Sequence, residues 1–272
     1  MNFPAGSLSV GSIGRAAGRR RRNIFWVNRV SRWKASGIHL LLSGAIVGSV
    51  LVFMVTVWYR WPLFEVSGGS GITLILAGVD VALGPLITLI IFKSGKKGLK
   101  FDLTVIALVQ AAALAYGVHV VYLARPVYMV FAFDRFNLVT AKDLDPKDLA
   151  MATSDEFKHL PLGRPGYVGA VMPRDSRQQL KVILTALGGK DLQLYPQYYV
   201  PYDEVAKDAL NHAKDLNVLL KRDFGPVRRF LDSAGRLPES VRFLPLRARV
   251  DAAVLTDAVS GEPLGIVLVN PW

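Results

Sequence analysis

Apolar residues crowd the first half of the chain into three uninterrupted stretches, residues 37–58, 72–92 and 103–123, each about 21 residues long. At 1.5 Å of rise per helical residue, about 20 apolar residues cross roughly 30 Å of hydrocarbon. Each stretch therefore predicts one membrane-spanning helix. Beyond residue 125 the apolar segments become short and their period changes. Residues 127–133 are β-branched and aromatic and predict a strand, which turns at Asp134-Arg135 into a second over 136–140. Asp145-Pro146 opens a short helix, and residues 161–173, with Gly163, Gly166 and Gly169, predict a loop. Over 174–187, Leu180, Ile183, Leu184 and Leu187 fall on one helical face that stops at Gly188-Gly189. Residues 203–220 repeat that logic with Ala206, Ala209, Ala213, Leu216 and Leu220. A short helix over 226–234 ends at Gly235, and 250–256 with 264–269 flank Ser260-Gly261 as a terminal hairpin.

The pattern predicts an α+β protein: a three-helix transmembrane bundle followed by a small α+β domain, whose terminal hairpin joins the first strands in one sheet. The expected division is a basic tail over 1–35, three spanning helices within 36–124, and a folded domain over 125–272. The chain has no cysteine, so this domain is held together without disulfides.

Charge orients the scheme. The net charge is +12, and its distribution is uneven: residues 1–38 carry +8, 39–92 carry −1, 93–102 carry +3 and 103–272 carry +2. Lys and Arg concentrate in cytoplasmic segments, so the amino end and the Lys93–Lys100 junction are expected inside. The third helix then exits outward and residues 125–272 are expected on the far side of the membrane. Basicity confined to juxtamembrane positions fits contact with anionic lipid and not with nucleic acid. Arg19–Arg22 raises a twin-arginine signal, which the long first stretch and two further spans argue against. Residues 1–30, rich in Gly, Ser and Arg, read either as disordered or as lying upstream of a working start near Val27 or Val30.

Within the spans, Gly44/Gly48, Gly78/Ala82, Ala111/Ala115 and Ala113/Gly117 are small-residue pairs that permit close helix approach. Gly84-Pro85 predicts a kink, because Pro85 lacks the amide of a helical bond. Trp58, Tyr59 and Trp61 are expected as interfacial anchors. Asp80 is the acid deepest in a span, where a charge costs a few kcal/mol. Counting helical rise places Ser49 and Tyr116 at its depth as hydrogen-bond partners, with Gln110 one to two turns away. It serves either as a structural lock or as a contact for a polar group on an intramembrane partner.

No catalytic or metal constellation assembles. His159 and His212 stand far apart with no carboxylate at ligand spacing. Asp155-Glu156 and Asp203-Glu204 read as helix-start charges. Gly95-Lys96-Lys97 lacks the spacing of a phosphate loop, and no cofactor is expected. The segment Tyr195-Pro-Gln-Tyr198-Tyr199-Val-Pro-Tyr202 is the most distinctive of the second half. It reads either as an aromatic loop packed on the domain or as a protein-contact patch.

Several runs together resemble the type IV pilin accessory protein family often called TfpX/TfpZ. They are Ser-Arg-Trp-Lys-Ala-Ser-Gly-Ile-His-Leu over 31–40, Trp-Pro-Leu-Phe-Glu over 61–65, Gly-Val-Asp-Val-Ala-Leu-Gly-Pro-Leu-Ile-Thr-Leu over 78–89, and Phe-Lys-Ser-Gly-Lys-Lys-Gly-Leu-Lys-Phe-Asp-Leu over 92–103. Arg125-Pro-Val-Tyr128, Phe133-Asp-Arg-Phe136, Gly261-Glu-Pro-Leu-Gly265 and the terminal Pro271-Trp272 continue the likeness. The resemblance implies an inner-membrane protein that assists the handling or assembly of a type IV pilin in a chaperone-like way, without catalysis. A pilin presents an apolar helix to the bilayer and a globular head outside it. On this expectation the bundle, with Asp80, Ser49, Tyr116 and Pro85, meets the helix, and either the sheet or the loop with Tyr195, Tyr198, Tyr199 and Tyr202 meets the head. The alternatives are a membrane transferase acting on a lipid-linked or pilin substrate, for which no cluster of titratable groups is found, and a sensor, for which no cytoplasmic domain is found.

Overall fold

The computed structural model of the chain describes residues 31–272, apart from the side chains at positions 72, 75–77, 79 and 80. The expectations for residues 1–30 and for the carboxylate of Asp80 thus lie outside what is described. Helix α1 (Arg32–Phe53) opens at Ser31, whose hydroxyl accepts the Lys34 amide, and widens into a π-helical turn over Met54–Trp58. A short helix, α2 (Leu63–Val66), fills the first junction.

The second apolar stretch is not one regular helix, a correction to the expected span over 72–92. It is built from α3 (Gly69–Ala77), a π-helical segment Gly78–Leu83, and α4 (Gly84–Ile91). The cause lies at Pro85. Without its amide the carbonyl four residues earlier loses its helical partner, and a widened turn just before the proline absorbs the mismatch. Helix α5 (Leu99–Leu123) completes this half. Arg32–Trp58, of 27 residues, and Leu99–Leu123, of 25, are long and apolar enough to cross a membrane by length and composition, whereas Val81–Ile91 is a shorter apolar helix. Both α1 and α5 pack chiefly on α4. Gly44 and Gly48 have open space where a Cβ would stand, so this small-residue pair does not mediate close packing among the described residues.

A mixed sheet follows directly. Strands β1 (Pro126–Ala132) and β2 (Arg135–Thr140) form the expected hairpin. Helix α6 (Pro146–Ala150) is capped by Asp145, whose carboxylate accepts the Lys147 amide. The predicted loop over 161–173 contains a strand, β3 (Gly166–Ala170), paired parallel with β1. Its glycines reflect close packing rather than a turn. At Gly169 a Cβ would lie 2.5 Å from Val205 Cγ2, so a side chain there would overpack the layer.

Helix α7 (Ser176–Leu187) is capped by Asp175, and β4 (Tyr199–Pro201) leads into α8 (Tyr202–His212). The single helix expected over 203–220 breaks at His212. Ala213 is extended, β5 (Lys214–Asp215) pairs with β6, and α9 (Asn217–Arg222) restarts. Leu216 and Leu220 consequently serve a different cluster from Ala206 and Ala209. Helix α10 (Phe224–Ala234) ends at Gly235 as expected. Strand β6 (Val241–Arg247), absent from the sequence reading, pairs parallel with β2 and antiparallel with β7 (Ala252–Asp257), which forms the terminal hairpin with β8 (Pro263–Val267). The path through the sheet is β4-β3-β1-β2-β6-β7-β8.

Alternate residues of β1 serve opposite faces, as strand pleating requires. Val130 and Ala132 join a core with Leu149 of α6, Val182 of α7 and Tyr195. Met129 and Phe131 join a second core with Val205 and Ala209 of α8 and with Leu63 and Val66 of α2. Helices α9 and α10 cover the remaining strands through Leu219, Val227 and Leu231. The helical half is thus stitched into the sheet core through α2.

Candidate functional site

The joint between the helices and the sheet is built from residues that the sequence placed at an interface with lipid. Trp58 and Tyr59 are buried, which corrects the expectation of exposed anchors. The Trp58 indole Nε1 donates to the Leu162 carbonyl at 3.1 Å, and the Tyr59 hydroxyl donates to the Val121 carbonyl at 3.0 Å. Trp61 is exposed, as an anchor would be. Arg125 is fully buried at the α5–β1 boundary. Its guanidinium stands 3.8 Å over the Tyr122 ring, and Nη1 donates to the Tyr122 carbonyl at 2.7 Å. Burying a cation is expensive unless it finds such partners, and here they bind the end of α5 to the first strand. Val250 donates its amide to the Val66 carbonyl, closing the joint from the other side.

The tyrosine segment divides. Tyr195, Tyr199 and Tyr202 are buried, and their hydroxyls donate to Thr185 Oγ1, the Gln193 carbonyl and the Gly261 carbonyl respectively. Burial pushes the Tyr199 and Tyr202 phenols well above their ordinary range. These three rings pack the domain, and only Tyr198 is half-exposed. Beside them, Lys190 pairs with the buried carboxylate of Asp148 at 2.5 Å and stands 4.5 Å from the Tyr195 ring centroid. Desolvation alone would lower the Lys190 pKa, but the hydrogen bond and charge of Asp148 together hold it above the ordinary value.

Of the residues expected beside Asp80, Ser49 bonds to the Ala45 carbonyl of its own helix and Tyr116 is exposed. Pro85 is buried, and its carbonyl accepts the Ser36 hydroxyl at 2.8 Å. Gln110 lies against Gly84, where an added Cβ would clash with its amide. No group of three or more His, Asp or Glu side chains suited to a metal occurs among the described residues.

The largest departure is on α7. An apolar row at helical spacing normally faces the core. Here Val182 is buried, while Leu180, Ile183, Leu184 and Leu187 are 55%, 54%, 57% and 84% exposed. Thr185, two positions before Leu187, is held inward by the Tyr195 hydroxyl, so the helix presents its apolar row outward. The row was legible in the sequence; its direction was not.

These features define an α+β protein in which long apolar helices are fastened to a mixed sheet bearing an outward apolar row. Comparison with known proteins gives its family. The model of the fimbrial assembly protein FimB family matches residues 27–68. A fimbrial assembly protein of Dichelobacter nodosus, serogroups C1 and C2, is 34% identical over 122 residues, covering 44% of this chain and 92% of that protein. The serogroup E1 and serogroup I fimbrial assembly proteins of the same organism are each 29% identical over 220 residues, covering 78% of this chain and 85% of each relative. The chain belongs to this family of fimbrial assembly proteins, the accessory proteins of type IV pili. No solved structure matches it.

Proposed function

We propose that this protein is an inner-membrane accessory factor that holds a type IV pilin before or during its incorporation into the fimbria. In this reading Arg32–Trp58, the stretch Gly69–Ile91 and Leu99–Leu123 span the bilayer with the amino end inside. Residues 125–272 form a periplasmic domain, and the basic tail over 1–35 meets anionic lipid. The helices meet the apolar helix of the pilin and the domain meets its head. Two contacts on one tethered molecule raise the effective concentration, so each can be weak.

The observation that carries the reading is the outward row of α7. Four large aliphatic side chains, each more than half exposed on one regular helix, make the kind of contiguous patch that marks a protein-contact surface. The test is co-purification of the cognate pilin with the full-length protein extracted from membranes. Ile183→Asp with Leu184→Asp removes two aliphatic contacts worth about 1.5–3 kcal/mol each when buried. Because both positions are exposed, the fold is retained while pilin recovery falls at least tenfold. Undiminished recovery from a folded double variant, and from a variant lacking residues 125–272, contradicts the assignment.

A further inference from the structure

Helices α1 and α5 both rest on α4 and close together near Trp58, where Val50 and Leu51 join Val121 in one apolar cluster; toward the start of α1 a groove of about 520 Å³ runs between them. One wall carries Ile38, Leu42 and Ile46 of α1, and the other carries Leu103, Ala107 and Leu114 of α5. The residues of each wall recur at intervals of four or seven, one or two helical turns. Each wall is therefore a continuous helical stripe, about 12 Å long on α1 and about 16 Å on α5. Thr88 of α4 lies at the floor. His39 and Ser43 are the polar residues of the α1 wall. The His39 Nδ1 lies 2.6 Å from Thr88 Oγ1, which leaves Nε2 without a partner among the described residues. A ring nitrogen in an apolar trough inside a membrane gains from a hydrogen bond supplied by whatever fills the trough.

We propose that this groove seats the membrane-inserted apolar helix of the fimbrial subunit, laid along α1 and α5, with His39 Nε2 hydrogen-bonded to a polar side chain of that helix. The inference deepens the assembly role proposed above and rests on it. Two stripes of helical period facing each other across an open floor are the complement of a third helix. Ala107 and the neighbouring Ala111 leave room for its backbone to come close. A lipid tail would fill the same volume but leave His39 Nε2 unsatisfied, which favours a polypeptide occupant. The polar contact falls about two turns inside the start of α1 and close to the start of the apolar stretch over 37–58, so the occupant is expected to carry its polar group near the end of its apolar segment.

The test uses the full-length protein in cells that also make an epitope-tagged copy of their own fimbrial subunit. A photo-crosslinking amino acid is placed at position 42 or 107 in the groove, at position 90 on the exposed back of α4, or at position 184 on α7. Adducts to the subunit are expected at 42, 107 and 184 and not at 90, with the groove adducts mapping to its apolar segment. His39→Leu is expected to lower the groove adducts about three- to tenfold, the worth of one interhelical hydrogen bond, and to leave the adduct at 184 unchanged. Subunit adducts at 184 without any at 42 or 107 overturn the groove assignment and leave the assembly role standing. Groove adducts to a second copy of this chain or to lipid, or equal yield at position 90, overturn it as well. Absence of subunit adducts at every position removes both.

Discussion

Tyr128 and Tyr167 show what the packing does to single residues. Burial, reinforced for Tyr128 by the charge of Glu156, pushes the Tyr128 phenol up to about 12, and burial pushes Tyr167 up to about 12 as well. In the unfolded chain a tyrosine ionises near 10. Below about pH 10 neither state is ionised and the full stability stands. Between about pH 10 and 12 the unfolded chain releases these protons first, so stability falls as pH rises through that window. Denaturant unfolding of the purified protein is expected to show a midpoint that drops above pH 10, and Tyr167→Phe is expected to flatten the drop. A midpoint constant to pH 12 contradicts the account. At the same scale, the sequence motifs shared with the pilin accessory proteins have structural explanations. Arg125 is the buried cation at the α5–β1 joint, and the Tyr128 hydroxyl donates to the His159 carbonyl. Gly261, at φ 77°, leaves no space for a Cβ beside the Ala206 carbonyl. The terminal Trp272 indole donates to Asp251 at 2.8 Å.

At the scale of elements, the bond from Trp58 to the Leu162 carbonyl is the direct polar tie between the end of the first helix and the segment leading into β3. Trp58→Phe keeps most of the aromatic packing with Phe53 and Tyr122 but removes the donor. It is expected to cost about 1 kcal/mol, plus the penalty for the carbonyl left unpaired. It should also speed proteolysis at Arg164; an unchanged cleavage rate contradicts the role given to the bond. Elements with strong local signals were legible in the sequence. The β1–β2 hairpin, the Asp145 cap, the end of α10 at Gly235 and the terminal hairpin follow from β-branched runs, capping residues and turn glycines. Strands β3 and β6 were not legible, for different reasons. Strand β3 is short and glycine-bearing, so it looks like a loop until β1 pairs with it. Strand β6 carries Pro245 in its middle, a residue that argues against a paired strand on local grounds. The break of α8 at His212 was likewise hidden, because Ala209, Ala213, Leu216 and Leu220 continue a helical period across it.

For the whole molecule, the proposed topology makes a prediction that the absence of cysteine keeps clean. Single-cysteine variants Lys97→Cys and Val259→Cys are expected to react with a membrane-impermeant thiol reagent from opposite sides of the membrane. Val259 reacts in intact spheroplasts and Lys97 only after lysis. Labelling of both from the same side contradicts the arrangement. The sequence by itself determined the order of the molecule, with apolar helices first and an α+β domain after them. It also determined that the cations gather before the first apolar stretch and between the second and third, because segment length, apolar content and charge are local quantities. The tertiary structure alone decided that β6 joins the terminal hairpin to β2, that Trp58 and Tyr59 turn into the joint, and that α7 shows its leucines outward while α1 and α5 leave a groove between them. Those outcomes depend on which distant surface reaches each face first in the folded chain. A helical period specifies that a helix has an apolar face, but the neighbours that Val182 and Thr185 find in the core decide which way that face points.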